Sequence, residues 1–256
     1  VIVSVVLAVH NGAATLDAAI RSVLTQTLQA LELVVIDDAS SDESGAIISR
    51  HAKADSRVIA LRSDDRLGLA RALNIGWRRA RTDLIARLDA DDVCLPARLE
   101  RQVGEMTAHP EIAVLGTGAV LIDDEGREVG IAQRPADHDT LVRDIYRENP
   151  FMHPTVMMRR AFLEAMSGYD ERLRRAQDID LWLRGRRTFR YANLEEPLIK
   201  YHVSVRPKFA SIAWGSFVLA RSAWREGRFL RNGKYAARYF AATMLGRLGL
   251  YDTRQR

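Results

Sequence analysis

In the first ninety residues four short apolar runs are separated by three helix-periodic stretches. That alternation restricts the chain to a sheet with helices packed on its faces. Residues 1–9 (VIVSVVLAV) and 31–36 (LELVVI) are apolar nearly throughout, as strands buried on both faces are, and 57–61 and 84–88 repeat the pattern. Asn11-Gly12 punctuates the first strand. Leu16, Ala19, Ile20, Val23 and Leu24 then recur at helical spacing behind Thr15, which reads as the N-cap. Helices at 44–53 and 68–79 fill the next two intervals. The expected class is α/β, a mostly parallel central sheet flanked by helices and joined by right-handed crossovers.

Beyond residue 95 the pattern is more mixed. Pro96 reads as opening a helix that stops near His109-Pro110, and the runs 113–122 and 129–133 flank Asp-Asp-Glu-Gly as the arms of a hairpin do. Short strands are expected at 155–158, 189–193 and 198–203, with helices at 141–147 and 178–187. After Phe209, the aromatic residues Trp214, Phe217, Trp224, Tyr235, Tyr239 and Phe240 mix with arginines in two helix-like stretches. The organisation read from this is one domain over 1–205, divided at about residue 95 into halves 1–95 and 96–205, and a helical C-terminal tail over 206–256.

Charge separates these parts. The chain carries +5 overall, yet 206–256 holds eleven Lys and Arg against two acids, net +9, while 1–205 holds 27 against 31, net −4. A nucleic-acid-binding fold carries its basic face on the folded core, so the mildly acidic core argues against nucleic acid as a partner. No stretch reaches the roughly 18 apolar residues of a membrane span, and 1–9 lacks the basic leader of a secretory signal, so the expected location is cytoplasmic. The chain opens on Val1 rather than Met, which leaves room for a segment upstream. Cys94 is the sole cysteine, and no disulfide framework or zinc spacing exists.

In an open parallel sheet ligands meet the carboxyl ends of the strands. Here those ends read His10-Asn11-Gly12, Asp37-Asp38, Asp64-Asp65 and Asp89-Ala90-Asp91-Asp92. Crowded carboxylates repel unless a cation sits among them, and oxygen donors suit Mn²⁺ or Mg²⁺, whose shell substrate phosphates complete. A phosphorylated or nucleotide substrate is implied. Asp42 and Asp92 read as helix caps. No Gly-x-Gly-x-x-Gly, phosphate-loop Gly-Lys-Ser/Thr or Gly-x-Ser-x-Gly sequence is present, so a bound diphosphate has to be neutralised by metal and side chains.

Six segments in order, VSVVLAVHNG, ELVVIDDASSD, GLARALNIG, LIARLDADD, NPFMHPTVMMRR and QDIDLWLR, resemble the inverting nucleotide-sugar glycosyltransferases of family two, over residues 3 to about 203. The resemblance implies the GT-A fold, with 1–95 as the nucleotide-sugar-binding half and 96–205 as the acceptor half. It also implies transfer of a hexose from a nucleoside-diphosphate sugar, in the manner of bacterial surface-polysaccharide enzymes. By the same resemblance His10 packs on the base and Asp38 accepts its imide N–H, which favours a UDP-sugar. Arg71 lies where it can meet a phosphate, Asp89 contacts ribose or metal, Asp91 holds the metal, and His202 approaches it. Asp178 falls at the catalytic base. The family usually reads Glu-Asp there, and Gln177 replaces the Glu. His153 and Gln177 belong to the acceptor side, and Asp180 is expected to pair with Arg184 one turn on. The Gln-x-x-Arg-Trp element of processive synthases is absent, so one sugar per encounter is expected.

The arginine-rich tail with its interleaved aromatics suits an anionic membrane surface, which would bring a lipid-linked saccharide acceptor within reach at the inner face. Packing of Trp214, Phe217 and Trp224 back on the domain is the opposing reading. Two rival functions share some of the same residues. A haloacid-dehalogenase-type phosphatase would use Asp89 as nucleophile and Asp91 as general acid, leaving Asp37-Asp38 and Asp178 without a role. A non-catalytic nucleotide- or sugar-binding module would not need Asp178.

Overall fold

The computed structural model describes residues 1–203, 209–225 and 237. The first half is β1 (Val3–Val9), α1 (Ala13–Leu24), β2 (Leu31–Asp38), α2 (Ser44–Ala54), β3 (Val58–Ser63), α3 (Leu69–Arg79) and β4 (Leu84–Asp89). β1 lies between β2 and β4, parallel to both, with Ala8 level with Ile36 and Asp89; β3 pairs with β2 so that Asp38 is level with Ser63. This register sets the carboxyl ends of the parallel strands side by side. Alternation along β1 supplies both layers of core: Val3, Val5, Leu7 and Val9 pack with Leu16, Ile20 and Val23 of α1, while Val6 packs with Leu73 and Trp77 of α3.

Helix α1 begins at Ala13, two residues ahead of the expected Thr15 cap. Gly12 holds the cap position, and the Ala13 N–H donates to Asp42 Oδ2 at 3.0 Å. A Cβ on Gly12 would stand 2.7 Å from Val9 Cγ2 and 3.5 Å from Ala90 Cβ, so the glycine lets this turn close against the 89–92 loop. Asp42 serves as expected and does so twice, since its Oδ1 also accepts from Ser44 N–H at the start of α2.

The second half comprises β5 (Val93–Cys94), α4 (Arg98–Ala108), β6 (Ile112–Ile122), β7 (Glu128–Ala132), α5 (His138–Asp144), a 3₁₀ turn (His153–Thr155), β8 (Met157–Arg159), α6 (Arg160–Ala165), α7 (Gln177–Gly185) and β9 (Arg190–His202). Among the described residues the strands form one sheet in the order β3-β2-β1-β4-β8-β6-β9-β5, with β7 also on β6. β3 to β4 are mutually parallel, as expected. β8 runs antiparallel to β4 and β6, so the whole sheet is mixed. The expected hairpin forms between β6 and β7.

The two strands expected at 189–193 and 198–203 are one continuous strand, β9. Asn193-Leu194-Glu195-Glu196-Pro197 reads as a break because it is polar and contains proline. On β6, Thr117 pairs with Leu194 and the next residue, Gly118, pairs with Pro197, so the extra residues bulge out of the ladder. A Cβ on Gly118 would lie 2.7 Å from Glu195 O and 3.1 Å from Pro197 N, so only glycine admits the bulge there.

Helix α8 (Phe209–Arg225) packs on the domain through buried Val218 and Leu219, in the same apolar cluster as Leu181 and Trp182 of α7. Trp182 is fully buried, edge-on to Phe151 at 5.0 Å and stacked with Phe162 at 6.2 Å. The outer face of α8 carries Phe217 and Trp224, 52% and 73% exposed. The Trp214 side chain and the second expected stretch, with Tyr235, Tyr239 and Phe240, lie outside the described residues. No helix among the described residues is long and apolar enough to cross a membrane.

Candidate active site

The two acidic strand ends differ in how their charge is met. At the end of β2, Asp37 accepts from Ser40 N–H at 2.9 Å and pairs with Arg62 at 2.7 Å. Asp38 Oδ1 accepts from Leu67 N–H at 2.6 Å and Oδ2 from Gly68 N–H at 3.0 Å, with Arg66 Nη1 3.3 Å from Oδ2. The carboxylate therefore ties the loop before α3 to the sheet. Gly68 has φ +86°, a left-handed value that favours glycine, and Ala39 beside Asp38 is held at φ +57°. His10 is exposed, its Nδ1 2.8 Å from Asp38 O, so ring and carboxylate stand together at the end of β1 and β2.

At the end of β4 the balance is different. Asp89 is bonded by Arg87, a buried guanidinium whose Nε and Nη1 have no partner among the described residues. Burial raises the Asp89 carboxyl above its ordinary range; Arg87 opposes this, and the charges of Asp91 and Asp178 add to it. Asp92 is 1% exposed and is pushed up to about 8, by burial first and by Asp89 second. Its Oδ1 accepts from His202 N–H at 2.8 Å, while Oδ2 is buried without a partner among the described residues. Asp92 is therefore not the local helix cap expected; its partner is the end of β9. Asp91 is half-exposed, with His202 Nδ1 3.4 Å from its Oδ2, and His202 Nε2 is 2.8 Å from Asp124 Oδ1.

One carboxylate oxygen from each of Asp89, Asp91 and Asp92 lies within 4.8 Å of the others. Oxygen ligands stand about 2.1 Å from Mg²⁺, so a small side-chain rotation brings this set onto one ion. The orphaned Asp92 oxygen and the raised carboxyl pKa values show that these three acids lack positive charge around them, which a proton or a bound cation supplies. The residues fit a divalent cation.

Beside this cluster opens a cleft of about 830 Å³, lined by the start of α3 (Leu69), the segment 145–149, the start of α7 with the residues before it (174–179), Tyr201 of β9, and Gly215 and Leu219 of α8. Asp178 stands in its wall, on the first turn of α7, where Asn149 Nδ2 donates to Oδ2 at 2.7 Å. Ala176, the N-cap, is held at φ +58° and turns the chain into α7. Gln177 is buried at the cleft edge. Tyr201 joins the two regions: it lines the cleft, and its hydroxyl is pushed up to about 12 by burial and then by Asp92, Asp89 and Asp91.

Other expected residues fall elsewhere. His153 is outside the cleft lining, packed edge-on between Tyr169 (5.5 Å) and Trp182 (6.2 Å), with Nε2 2.9 Å from Tyr169 Oη. Burial, and then Arg87, hold it well below the usual histidine range, so it is neutral. Arg71 is exposed on α3 with its Nε 4.0 Å from Glu171 Oε2. Asp180 faces away from the cleft and pairs with Arg184 at 2.8 Å, as expected. Sequence reading missed Arg87, Asn149, Tyr201 and Asp124. Arg87 and Asn149 carried a signal, since they lie in the quoted LIARLDADD and NPFMHPTVMMRR segments.

The family model for Glycosyl transferase family 2 matches residues 4–166. EpsE of Bacillus subtilis (strain 168) is 36% identical over 203 residues, 77% of this chain and 72% of that protein. The O-antigen biosynthesis glycosyltransferase WbnJ of Escherichia coli is 32% identical over 206 residues, 78% of this chain and 79% of that protein. Among solved structures, residues 1–349 of S. aureus TarS share the fold with TM-score 0.70 at 18% identity, covering 100% of this chain and 76% of that one. The mannosyltransferase PcManGT of Pyrobaculum calidifontis, in complex with GDP-Man and Mn²⁺, aligns with TM-score 0.68 at 19% identity, covering 98% and 76%. The GT-A expectation is borne out.

Proposed function

The chain belongs to glycosyl transferase family 2, and from that premise we propose that it is an inverting, metal-dependent hexosyltransferase. On this reading it moves one sugar from a nucleoside-diphosphate sugar, a UDP-sugar by preference, to a hydroxyl of a saccharide or lipid-linked saccharide in cell-surface polysaccharide synthesis. The observation that carries the reading is the continuity of the site: Asp178 lines a cleft wide enough for a sugar acceptor, and its charge is felt at Asp89 in the acid cluster.

The roles follow from the chemistry of each group. His10 offers a ring face to the base. Asp38 keeps lone pairs beyond those given to Leu67 and Gly68 N–H, and these can take a uracil imide N–H. Arg71 on α3 is the side chain for a donor phosphate. Asp89 and Asp91, with His202 beside them and Asp92 beneath, would hold Mn²⁺ or Mg²⁺. A divalent cation there neutralises the diphosphate and makes it a better leaving group.

Asp178 takes the proton from the acceptor hydroxyl as the new C–O bond forms on the face of the anomeric carbon opposite the departing diphosphate, and such a base contributes about 10²–10⁴-fold. Asn149 fixes one carboxylate oxygen and leaves the other to the hydroxyl. Gln177 lies at the edge of the same wall, and His153, neutral and behind it, supports the acceptor side through Tyr169 and Trp182. A phosphatase would need Asp89 as a free nucleophile; Arg87 already holds that carboxylate, and family membership sets the reading aside.

Phe217 and Trp224, exposed on α8 at the head of the basic segment, support contact between 206–256 and an anionic membrane surface at the inner face.

The test is proton NMR of the products formed from UDP-glucose, UDP-N-acetylglucosamine and GDP-mannose with Mn²⁺, using water and p-nitrophenyl glycosides as acceptors. Release of the nucleoside diphosphate with a β-anomer from an α-linked donor supports the proposal. A product of retained configuration, or inorganic phosphate as the released species, contradicts it.

A further inference from the structure

The cleft that holds Asp178 is closed on one side by a helix that sequence reading assigned to the tail. Gly215, Leu219 and Ser222 of α8 recur at helical spacing on one face. Gly215 and Leu219 line the cleft, and Ser222 Oγ is 3.2 Å from the hydroxyl of Tyr146, which lines the facing wall. Val218 beside them is fully buried in the aromatic cluster.

One side chain fastens this face to α7. Arg221 is 20% exposed and reaches two acids from two different segments: Nη1 lies 3.2 Å and Nη2 3.3 Å from Asp170 Oδ2, and Nη2 also bonds Asp180 Oδ1. Asp180 is 6% exposed and is held on its other oxygen by Arg184, whose Nη2 donates to Gly168 O at 2.7 Å. Asp170 is in turn bonded by Arg172, and Arg172 and Arg221 together hold its carboxyl well below the usual range. Asp180 and Asp178 sit two residues apart on the first turn of α7, so they project to opposite sides of the helix, one to the clamp and one to the cleft. A shift of α8 away from α7 therefore opens the wall and takes from Asp180 one of its two arginine partners.

We propose that α8 is the closing wall of the acceptor cleft, and that Arg221 is the positioning residue that locks it onto α7 so that the cleft admits the acceptor while water stays out. The inference rests on the glycosyl-transfer reading for the meaning of the cleft. Its geometry stands on the packing of α8. The two failures separate in the experiment below.

Cys94 is buried, which makes an introduced cysteine readable against it. Ile179→Cys places a thiol in the cleft wall. Labelling by fluorescein maleimide is followed in that background, alone and combined with Arg221→Ala, Arg221→Lys or Leu219→Ala, with UDP titrated in the presence of Mn²⁺ on each protein and GDP and dTDP on the parent as well. The expected result is labelling of the introduced thiol at least tenfold faster with Arg221→Ala and with Leu219→Ala, partial restoration by Arg221→Lys, Cys94 unlabelled throughout, and UDP affinity within twofold of the parent. An unchanged rate at the introduced thiol overturns the wall. Labelling of Cys94 in step with the introduced thiol overturns the lock, because Arg221 is then holding the whole fold. A parent that binds no UDP, GDP or dTDP with Mn²⁺ loses the functional reading instead, whatever its labelling rates.

Discussion

Asp37 and Asp38 at the end of β2 have each oxygen met inside the chain, by Ser40, Arg62, Leu67, Gly68 and Arg66. Asp89, Asp91 and Asp92 at the end of β4, two strands away, do not: among the described residues one oxygen is buried without a partner, and two carboxyls are raised in pKa. The same residue type on the same edge of one sheet thus does two jobs. The β2 acids spend their charge on loop architecture, and the β4 acids are left with charge that a proton or a bound cation has to meet. Acidic strand ends in such a sheet are read by their partners, not by their count.

The largest effect separates both groups from the carboxylate that belongs to neither. Asp178→Asn is expected to lose about 3–5 kcal/mol of transition-state stabilisation while nucleotide affinity stays within twofold, read as kcat against Kd. Near-normal turnover removes Asp178 from the chemistry.

The next effect concerns pH. Asp92 titrates at about 8 in the fold against an ordinary value of 3.8, so from about pH 4 to pH 8 the folded chain binds a proton that the unfolded chain has lost. Stability of the metal-free protein should therefore fall as pH rises through that window, by on the order of a few kcal/mol, and Asp92→Asn should flatten the slope. Urea melts at pH 5 and pH 8, with and without Mn²⁺, check this. A slope unaffected by both the variant and the metal breaks the contrast.

Asp38→Ala should act with the opposite sign. It removes two backbone N–H partners and the Arg66 pair, so it should destabilise the metal-free fold by about 1.5–3 kcal/mol at pH 8, where Asp92→Asn stabilises it. The same melts give both numbers, and equal signs would show that the two acidic ends are not different in kind.

The smallest effect lies outside the comparison, at the basic segment. Binding to phosphatidylserine vesicles should be weak and lost at high salt, and should diminish on truncation after Arg225, which leaves α8 in place. Truncation at 205 would remove Val218 and Leu219 from the core and would report on folding instead.

Much of this was legible in sequence because it is local. The β-α alternation of the first half, the hairpin turn, the Asp42 cap, the Asp180–Arg184 pair and the acidic strand ends all follow from neighbours a few residues apart. What was misread depends on distant partners. Asp92 looks like a cap from its own surroundings, but its bond is to His202, 110 residues on. The apparent break at Pro197 becomes a bulge only because Gly118 on another strand leaves room. Arg221 reads as tail charge until Asp170 and Asp180 are seen beside it. The cleft draws its walls from separated segments, and no single window of sequence contains it.

The most direct test of the stored charge at β4 is calorimetric titration of UDP with and without Mn²⁺ on the unaltered chain, on Asp91→Ala and on Asp38→Ala. The account predicts that Mn²⁺ strengthens UDP binding in the first, that this gain disappears in Asp91→Ala, and that it survives in Asp38→Ala even where overall affinity falls. A Mn²⁺ gain that persists in Asp91→Ala, or that vanishes only in Asp38→Ala, would contradict it.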